Sequence, residues 1–231
     1  MLVLEEYHHA KTRGAPILAE VLGVGYSGDA FHITAPEPTG SGATRAMLQA
    51  VEDAGGAGDH SRAGRLSMGD VDYVNAHATF TPVGDAEEMN VIRLALSRSS
   101  SMESENSSEG KQHYDAKPQP PLLVSSTKGA TGHLLSAAGA IEAALPVMAV
   151  SEDTVPHTRN LDVVSDDTAK TLEPADATAG TAQHRSICLV QHDPMRSQAI
   201  NLAMSNIFGF GGTNVSLLFG KADDEVSCER Q

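Results

Sequence analysis

Short apolar runs alternate along this chain with segments of helical periodicity. Apolar runs of strand length occur at 71–74, 122–124 and 186–191, and each is followed by small or polar residues. Apolar residues three and four positions apart predict helices at 45–54 and 86–96. In open α/β sheets, ligands usually bind at the carboxyl ends of the strands, where loops and helix starts converge. The residues that follow each run are therefore candidates for a site.

The first strand, at 71–74, is followed by an imidazole, two hydroxyls and a carboxylate. His77 lies at the carboxyl end of this strand, and Asp85 directly precedes the helix at 86–96, where we expect it to be the N-cap. For an isolated histidine at a strand end, a core residue hydrogen-bonded to a backbone carbonyl is the more common interpretation. Two further segments favour a functional role instead.

Both segments bring polar or glycine-rich turns to the ends of predicted strands. Lys128 and His133 lie on the turn that follows the strand at 122–124, before a helix of small side chains. At 209–212, a glycine-dense turn joins two apolar runs, which predicts a hairpin. Because glycine permits positive φ and close backbone approach, the tip of this hairpin can line a pocket.

Together the three segments resemble the β-ketoacyl-acyl carrier protein synthases, the condensing enzymes of fatty-acid and polyketide synthesis in the thiolase-like superfamily. The matching motifs are Asn-Ala-His-Ala-Thr-Phe-Thr at 75–81 with Asp85, the segment from Ser126 through Lys128 to His133, and Gly-Phe-Gly-Gly-Thr-Asn at 209–214. The first departs from the family only in Ala78, where the family has glycine. The resemblance implies a thiolase-like layered α/β/α fold, of which this chain is the C-terminal half, with a mixed sheet between helices.

The resemblance also implies catalytic roles for two histidines and a lysine. His77 and His133 are expected to donate imidazole N–H groups to the enolate that forms when a malonyl thioester loses carbon dioxide, because fixed donors stabilise such an oxyanion. Lys128 is expected to hold this network together by pairing with Glu88. A buried lysine without such a partner tends to lose its proton.

Substrate-binding roles follow from the same resemblance. Thr79 and Thr81 alternate along an extended segment, so both hydroxyls can face one side. The resemblance makes them ligands of the phosphopantetheine arm; the alternative is a pair of β-branched strand residues. Phe210 resembles the residue that gates acyl access to the nucleophile, or else is an apolar plug at the hairpin tip. Supporting roles at this tip are implied for Gly209 and Gly211, which would let the loop swing, and for Asn214, which would brace the site by backbone hydrogen bonds.

One element of the family is absent. Its members attack with a cysteine at a helix N-terminus, whereas this chain has Cys188 in an apolar run and Cys228 in a charged stretch. Neither context would lower a thiol pKa. We therefore expect the C-terminal part of a condensing enzyme, starting past the nucleophile. Such a chain would form no acyl-enzyme and would be poorly stable alone, because sheet edges and apolar faces would be exposed.

The net charge limits the classes of partner that the chain can bind. The formal charge of −14 over 231 residues argues against nucleic acid, which requires clustered Lys and Arg. An acyl carrier protein is itself expected to be acidic, so its docking would need a local basic patch. The candidates for this patch are Arg13, Arg45, Arg62 and Arg65.

Other classes of site lack support. The ten histidines lack the spacing of metal ligands, so no metal is expected. Two cysteines in dissimilar contexts give no disulfide framework, which suggests a reducing compartment. No apolar run reaches the roughly 18 residues of a membrane span, and no targeting peptide is visible.

The resemblance divides the chain into segments. Residues 1–25 are expected to end the N-terminal half, and 26–220 to form the C-terminal synthase domain. Polar insertions are expected at 97–119 and 165–183, and a charged tail at 221–231.

These observations favour an elongating 3-oxoacyl-[acyl-carrier-protein] synthase that acts by decarboxylative Claisen condensation. Its expected partners are an acyl carrier protein with malonyl and acyl thioesters, and it would be a homodimer at full length. No cofactor is expected on the enzyme, since the carrier protein bears the phosphopantetheine. We expect a soluble intracellular protein, in the cytoplasm or in a mitochondrial or plastid matrix. The alternative is a non-catalytic truncated paralogue or an acyl- and pantetheine-binding module; a thiolase is weaker, because no cysteine lies at the glycine-rich end.

Overall fold

The computed structural model describes residues 2–56, 66–105, 119–172, 185–191 and 198–222. The strands are β1 (Glu20–Gly28), β2 (Tyr73–Asn75), β3 (Leu122–Ser125), β4 (Ile187–Leu189), β5 (Leu202–Gly209) and β6 (Thr213–Gly220). The helices are α1 (Tyr7–Thr12), α2 (Ser41–Gly56), α3 (Pro82–Glu105), α4 (Lys128–Thr131), α5 (Ala138–Glu152) and α6 (Asp166–Leu172). Short 3-10 helices occur at Met68–Asp70 and Leu135–Ala137.

The six strands form one mixed sheet in the order β1-β6-β5-β2-β3-β4. β2 runs parallel to both β3 and β5, and β3 runs parallel to β4, whereas β6 is antiparallel to β1 and β5. The carboxyl ends of β2, β3 and β5 therefore meet at one edge of the sheet. In register there, Asn75 pairs with Ser125 on one side and Ser205 on the other.

Helices cover both faces of the sheet. On one face α2 and α3 share a core with Val74 and Met204. On the other, α5 shares a core with Tyr73 and Ala203. Because neighbouring strand residues point to opposite faces, Tyr73 and Val74 serve different cores. The expected layered α/β/α arrangement with a mixed sheet is confirmed.

β1 belongs to this sheet along its whole length. It pairs with β6 from Glu20 to Gly28, so the boundary expected at residue 25 falls inside a strand. Its partner helix is α2, which approaches β1 closely because Gly23 and Gly25 have no side chain between the two backbones. Residues 2–4, which look strand-like in sequence, form neither helix nor strand.

The polar segments are partly helical. α3 continues to Glu105, well into the insertion expected at 97–119, and α6 lies inside the one expected at 165–183. Residues 106–118 and 173–184 lie outside the described residues, as does the expected tail from 223 onward.

α5 is the most apolar helix of the described chain and continues through Pro146. The stretch Leu135–Glu152 is long and apolar enough, by length and composition, to cross a membrane, with 33% of it buried. The lengths of the apolar runs in the sequence predict no such stretch. One such helix is weak evidence for a membrane, because a core helix of a soluble protein passes the same test. α5 contributes Ala149 and Val150 to the core that also contains Tyr73 and Ala203 of the sheet.

Candidate active site

The structure brings His77 and His133 together, although they come from different parts of the chain. His77 lies two residues after β2, and His133 lies two residues after α4. Their ring centroids are 5.4 Å apart, with the planes nearly perpendicular at 88°. His77 is half-buried, whereas His133 is exposed. Two imidazoles thus converge at the strand-end edge predicted from the sequence.

Lys128 connects the first of these histidines to a buried carboxylate. Its Nζ lies 3.3 Å from Nδ1 of His77 and 2.5 Å from Oε1 of Glu142. The lysine and glutamate side chains are 7% and 3% exposed, so the ion pair is almost entirely removed from water. The prediction that Lys128 pairs with Glu88 was therefore wrong. Glu142, on α5, takes that place.

Glu88 instead fixes the backbone at His77. Its carboxylate accepts hydrogen bonds from the backbone N–H of His77 at 2.9 Å and of Ala78 at 2.7 Å. The Nδ2 of Asn206 lies 3.4 Å from the same carboxylate. Burial raises the pKa of Glu88 to about 7, although these donors oppose the shift. Glu88 therefore supports the site indirectly. Its carboxylate fixes the backbone at His77, and this backbone sets the position of the imidazole.

His77 is held in its neutral form. Burial, the nearby Lys128 ammonium and His133 together lower the pKa of His77 to about 3. Lysine has only donors to offer, so Nδ1 of His77 must accept from Lys128. In a neutral imidazole the proton then resides on Nε2, which leaves an N–H free to serve as a donor.

The same tautomer follows for His133. Its Nδ1 accepts a hydrogen bond from the backbone N–H of Leu135 at 3.3 Å. A neutral His133 therefore also carries its proton on Nε2. Leu135 has φ of +51°, a conformation that is uncommon for a branched residue. This backbone conformation accompanies the contact that orients the second imidazole.

The two threonines lie together beside the histidines. Oγ1 of Thr79 and Oγ1 of Thr81 are 3.3 Å apart, so both hydroxyls face one side. α3 begins at Pro82, so Asp85 lies in its first turn and is not the N-cap that we expected. Burial raises the pKa of Asp85, while hydrogen bonds from the backbone of Thr81, Phe80 and Thr79 oppose that shift. The carboxylate of Asp85 thus faces the backbone of the loop that carries the threonines.

The hairpin tip predicted at 209–212 joins β5 to β6. Gly211 and Gly212 have positive φ, whereas Gly209 ends β5 without it. Phe210 is 81% exposed at this tip. The tip therefore has the conformation that a glycine-rich turn permits, with an aromatic ring directed to solvent.

Asn214 ties the hairpin to a neighbouring loop. Its Nδ2 donates to Oδ1 of Asp29 at 2.6 Å and also lies 3.5 Å from the carbonyl of Gly212. The backbone N–H of Asp29 in turn donates to the Gly212 carbonyl at 2.8 Å. We expected backbone hydrogen bonds from Asn214; its shortest contact is to the carboxylate of Asp29.

Sequence reasoning missed several residues of the site. Phe208 lies with its ring centroid 6.0 Å from that of His77. Beneath the histidines, the hydroxyl of Tyr73 contacts Oγ of Ser125 at 2.9 Å and accepts from Nδ2 of Asn75 at 2.9 Å. Glu142 was also missed, although an acid in the interior of an apolar helix signals a buried partner.

A pocket opens beside His77. Its void is about 490 Å³, including the part that is open to solvent. Lining residues come from the loop before α2, from the loop between β2 and α3, from the start of α3 and from the hairpin: Asp29, Pro36, Glu37, Thr79, Gly84, Glu87, Phe208 and Asn214. The pocket therefore joins the loop of the threonines to the hairpin tip.

The cysteines and arginines singled out in the sequence are scattered over the fold or lie outside the described residues. Cys188 is a free thiol in β4, half-buried, and Cys228 lies outside the described residues. Arg13 pairs with Glu5, and Arg45 donates to the carbonyl of Gly28 at 3.1 Å. Arg62 and Arg65 fall outside the described residues. Among the residues that the structure describes, no group of three His, Cys, Asp or Glu could hold a metal ion.

Comparison with known proteins gives consistent matches. A family model described as the β-ketoacyl synthase C-terminal domain matches residues 18–162. The chain is 41% identical over 219 residues to 3-oxoacyl-[acyl-carrier-protein] synthase 2 of Vibrio cholerae, covering 95% of this chain and 42% of that protein. It is also 41% identical to the mitochondrial 3-oxoacyl-[acyl-carrier-protein] synthase of Arabidopsis thaliana, covering 95% of this chain and 38% of that protein. The chain thus spans less than half the length of these curated relatives.

Solved structures agree in fold. A β-ketoacyl synthase from Burkholderia phymatum matches with a TM-score of 0.66 and 29% identity, over 95% of this chain and 41% of that one. A ketosynthase solved with its type II polyketide acyl carrier protein and a bound hexaketide matches with a TM-score of 0.70 and 25% identity, over 95% of this chain and 42% of that one.

Proposed function

The chain belongs to the β-ketoacyl synthase family, whose C-terminal domain it carries, and we propose that it supplies the two-histidine part of a 3-oxoacyl-[acyl-carrier-protein] synthase active site. In this reaction a malonyl thioester loses carbon dioxide, and the resulting enolate carbon attacks an acyl thioester. The names of relatives near 40% identity support fatty-acid elongation as the pathway. We assign the cysteine nucleophile to the part of the relatives that this chain does not span.

The observation that carries this proposal is that Nδ1 of each of the two histidines lies within hydrogen-bond distance of a donor, which implies the same tautomer for both neutral rings. Nδ1 of His77 is occupied by Lys128, and Nδ1 of His133 by a backbone N–H, so each neutral ring has an Nε2–H to donate. When the carbon–carboxylate bond breaks, its electron pair moves into the thioester and the carbonyl oxygen becomes negative. Two fixed donors stabilise that oxygen without transferring a proton.

The low pKa of His77 suits this role. A group with a pKa of about 3 stays neutral at physiological pH, so it acts as a hydrogen-bond donor and remains a weak acid. Lys128 keeps its partner Glu142 and holds the imidazole in one orientation. The buried ion pair is thus a positioning device, and Lys128 needs no contact with substrate.

Substrate would reach this point on a carrier protein. We assign to the hydroxyls of Thr79 and Thr81, which lie 3.3 Å apart, the role of hydrogen-bonding the amide groups of the phosphopantetheine arm that the carrier protein brings. No cofactor of the enzyme's own is required. We further propose that the full-length protein is a homodimer and that it acts in the cytoplasm or in an organelle matrix; the bacterial and mitochondrial names of relatives support such a location.

The proposal is tested on this chain with a malonyl-pantetheine thioester, by following ¹⁵N signals of the histidine rings in NMR. We expect the Nε2 signals of His77 and His133 to shift with a common saturation curve, and His157 to stay unchanged as the internal control. A His77→Asn variant should abolish the shift at His133, because the thioester oxygen loses half of its site. Unchanged signals at both histidines at saturating ligand would contradict the proposal.

A second function, acyl- or pantetheine-binding without condensation, is favoured for the isolated chain by its cysteines. Cys188 lies within strand β4, which gives it no helix N-terminus to activate its thiol. Intact mass after incubation with an acyl thioester, and separately with the cysteine-directed inhibitor cerulenin, tests whether a cysteine of this chain acts as a nucleophile. No adduct on Cys188 or Cys228 supports a site that depends on a nucleophile elsewhere, whereas an adduct would show a relocated nucleophile.

A further inference from the structure

A buried polar pair links the glycine hairpin to the carboxylate that holds the backbone of His77. Asn206 on β5 and Ser216 on β6 lie directly opposite each other in the antiparallel register, and both are fully buried. The hydroxyl of Ser216 donates to Oδ1 of Asn206 at 2.9 Å, and Nδ2 of Asn206 lies 3.4 Å from Oε1 of Glu88. Burying an amide is costly unless its polar atoms find partners, so Ser216 and Glu88 account for an asparagine at this position.

The neighbours of Asn206 select one orientation of its amide. An ionised Glu88 carboxylate only accepts hydrogen bonds, so it attracts the N–H end of the amide and repels the carbonyl end. The sulfur of Met47 lies 3.6 Å from the same Nδ2, and a thioether is likewise an acceptor. The carbonyl end then faces Ser216, whose hydroxyl can turn to donate to it. These three contacts are consistent with one orientation of the amide.

Asn206 gives Glu88 a donor that comes from outside the loop that Glu88 holds. The two backbone N–H groups bound by this carboxylate belong to His77 and Ala78. Burial raises the pKa of Glu88 to about 7, whereas the hydrogen bond from Asn206 and the charge of Lys128 oppose that rise. Without the amide, more of Glu88 would be protonated near neutral pH. A protonated carboxyl group has less capacity to accept from the backbone.

The contact between Asn206 and Glu88 is long for a hydrogen bond, but its surroundings strengthen it. Asn206 is fully buried and Glu88 is 4% exposed, so water does not compete for either group. Charges and dipoles interact more strongly where water is excluded, and hydrogen bonds to charged groups contribute more than neutral ones. Removing the amide should therefore change the protonation of Glu88 measurably.

We propose that Asn206, oriented by Ser216, is a positioning residue for the imidazole of His77. It acts through Glu88, whose carboxylate fixes the backbone N–H groups of His77 and Ala78. Because Asn206 and Ser216 lie in the two strands of the glycine hairpin, they hold the hairpin and the histidine in one arrangement. This inference rests on the proposed function, in which a correctly oriented His77 stabilises the enolate oxygen.

The test compares three variants of the full chain: Asn206→Leu, Ser216→Ala and, as a control, Ser205→Ala. Asn206→Leu keeps the number and branching of the side-chain heavy atoms but removes both polar ends of the amide. Ser216→Ala removes only a hydroxyl. Ser205→Ala removes an equally buried hydroxyl from the neighbouring position of β5, where the side chain points to the opposite face of the sheet.

Two properties are measured by NMR. The carboxyl ¹³C signal of Glu88 across pH gives its pKa, and the backbone amide signals of His77 and Ala78 report on the same titration. The histidine ring signals give the concentration of a malonyl-pantetheine thioester at half-saturation. A residue that merely filled the core would change stability but neither of these properties.

We expect the pKa of Glu88 to rise in Asn206→Leu and, to a smaller extent, in Ser216→Ala, with the backbone amide signals following the new midpoint. Half-saturation should require about 3- to 10-fold more thioester in Asn206→Leu, which is the usual effect of losing one hydrogen bond. Ser205→Ala should keep the wild-type values of both properties.

A folded Asn206→Leu variant with the wild-type pKa of Glu88, or with the wild-type half-saturation, overturns the proposal. If this variant does not fold, Ser216→Ala decides by the same two measurements. Equal results for Ser216→Ala and Ser205→Ala overturn the orienting role of Ser216. If the wild-type histidines do not respond to the thioester, the proposed function fails; a raised pKa of Glu88 with shifted amide signals in Asn206→Leu would still support the action of Asn206 through Glu88.

Discussion

The Nζ of Lys128 lies 3.3 Å from Nδ1 of His77, so the positive charge of a buried lysine abuts the ring nitrogen that must stay unprotonated. This contact does two things at once. It fixes the tautomer of the imidazole, and it disfavours an imidazolium by charge repulsion. The orientation and the neutrality of His77 thus have one common cause.

We expect Lys128→Met to raise the pKa of His77. The wild-type pKa is about 3, and the Lys128 charge is the second largest cause after burial, which remains in the variant. Histidine ring signals followed by NMR across pH measure this directly, with Lys221→Met as a control at a distant lysine. A pKa of His77 that is the same in both variants would contradict the electrostatic role assigned to Lys128.

The same substitution should be costly for stability. It leaves Glu142, only 3% exposed, without its ion-pair partner, and breaking one side of a buried pair costs about 3–5 kcal/mol. Replacing both residues, as Lys128→Met with Glu142→Leu, should recover most of this loss, because no buried charge is left unpaired. Urea unfolding gives the free energies.

The control for that experiment is the partly exposed pair of Lys221 with Asp153. Their side chains are 31% and 42% exposed, so Lys221→Met should cost at most about 1 kcal/mol. If Lys128→Met were as mild as Lys221→Met, the buried pair would not be structurally important.

The sequence predicted the elements that depend on local pattern. The strand before His77, the strand before Lys128 and the glycine hairpin were all found, because short apolar runs ended by glycine or polar residues leave few alternatives. The edge at which the histidines meet followed from the rule that strand ends gather ligands.

What the sequence could not provide was pairing across distance. Lys128 was assigned to Glu88, but Glu88 is used by the backbone at His77 and Glu142 approaches from α5. Glu88 and Glu142 have the same side chain, so the sequence alone does not show which of them approaches Lys128. The positions of α3 and α5 in the fold decide it. The Asp85 error has a local cause: Pro82 can occupy the first turn of a helix, which therefore starts before the position expected for a cap.

The extent of α3 was also underestimated. Low-complexity residues after 96 have nothing apolar to bury, which predicts a loop, yet the helix continues to Glu105. A helix already formed extends at low cost, because only nucleation is expensive. A polar composition therefore indicates where a helix no longer has apolar residues to bury. It does not indicate where the helix itself ends.

Glu88 gives the protein a distinct pH dependence. Its pKa rises from 4.5 to about 7 in the folded chain. The native state therefore holds this proton more tightly than the unfolded chain, and stability from this group falls as pH rises from about 4.5 to about 7. Because Glu88→Gln cannot ionise, its stability relative to the wild type should increase across this range and then level off.

His77 acts in the opposite direction. Its lowered pKa means that the unfolded chain takes up the proton first, so stability is lost as pH falls from 6.5 toward about 3. The effect of His77 is present in the wild type and in Glu88→Gln, so it cancels in the difference between their unfolding free energies. Unfolding free energies at several pH values provide that difference; a flat difference curve would mean that Glu88 is ionised at its ordinary pKa.

The contact between β1 and α2 can be tested with two glycines of one strand. A side-chain carbon at Gly25 would overlap the backbone carbonyl oxygen of Ala46, which cannot move without distorting α2, whereas one at Gly28 meets nothing within 4 Å. We expect Gly25→Ala to destabilise the chain by about 3 kcal/mol or more and Gly28→Ala to be neutral or slightly stabilising. Thermal unfolding of both variants measures the contrast. Equal melting temperatures would show that β1 does not pack directly against α2. They would contradict the close contact between Gly25 and the backbone of Ala46.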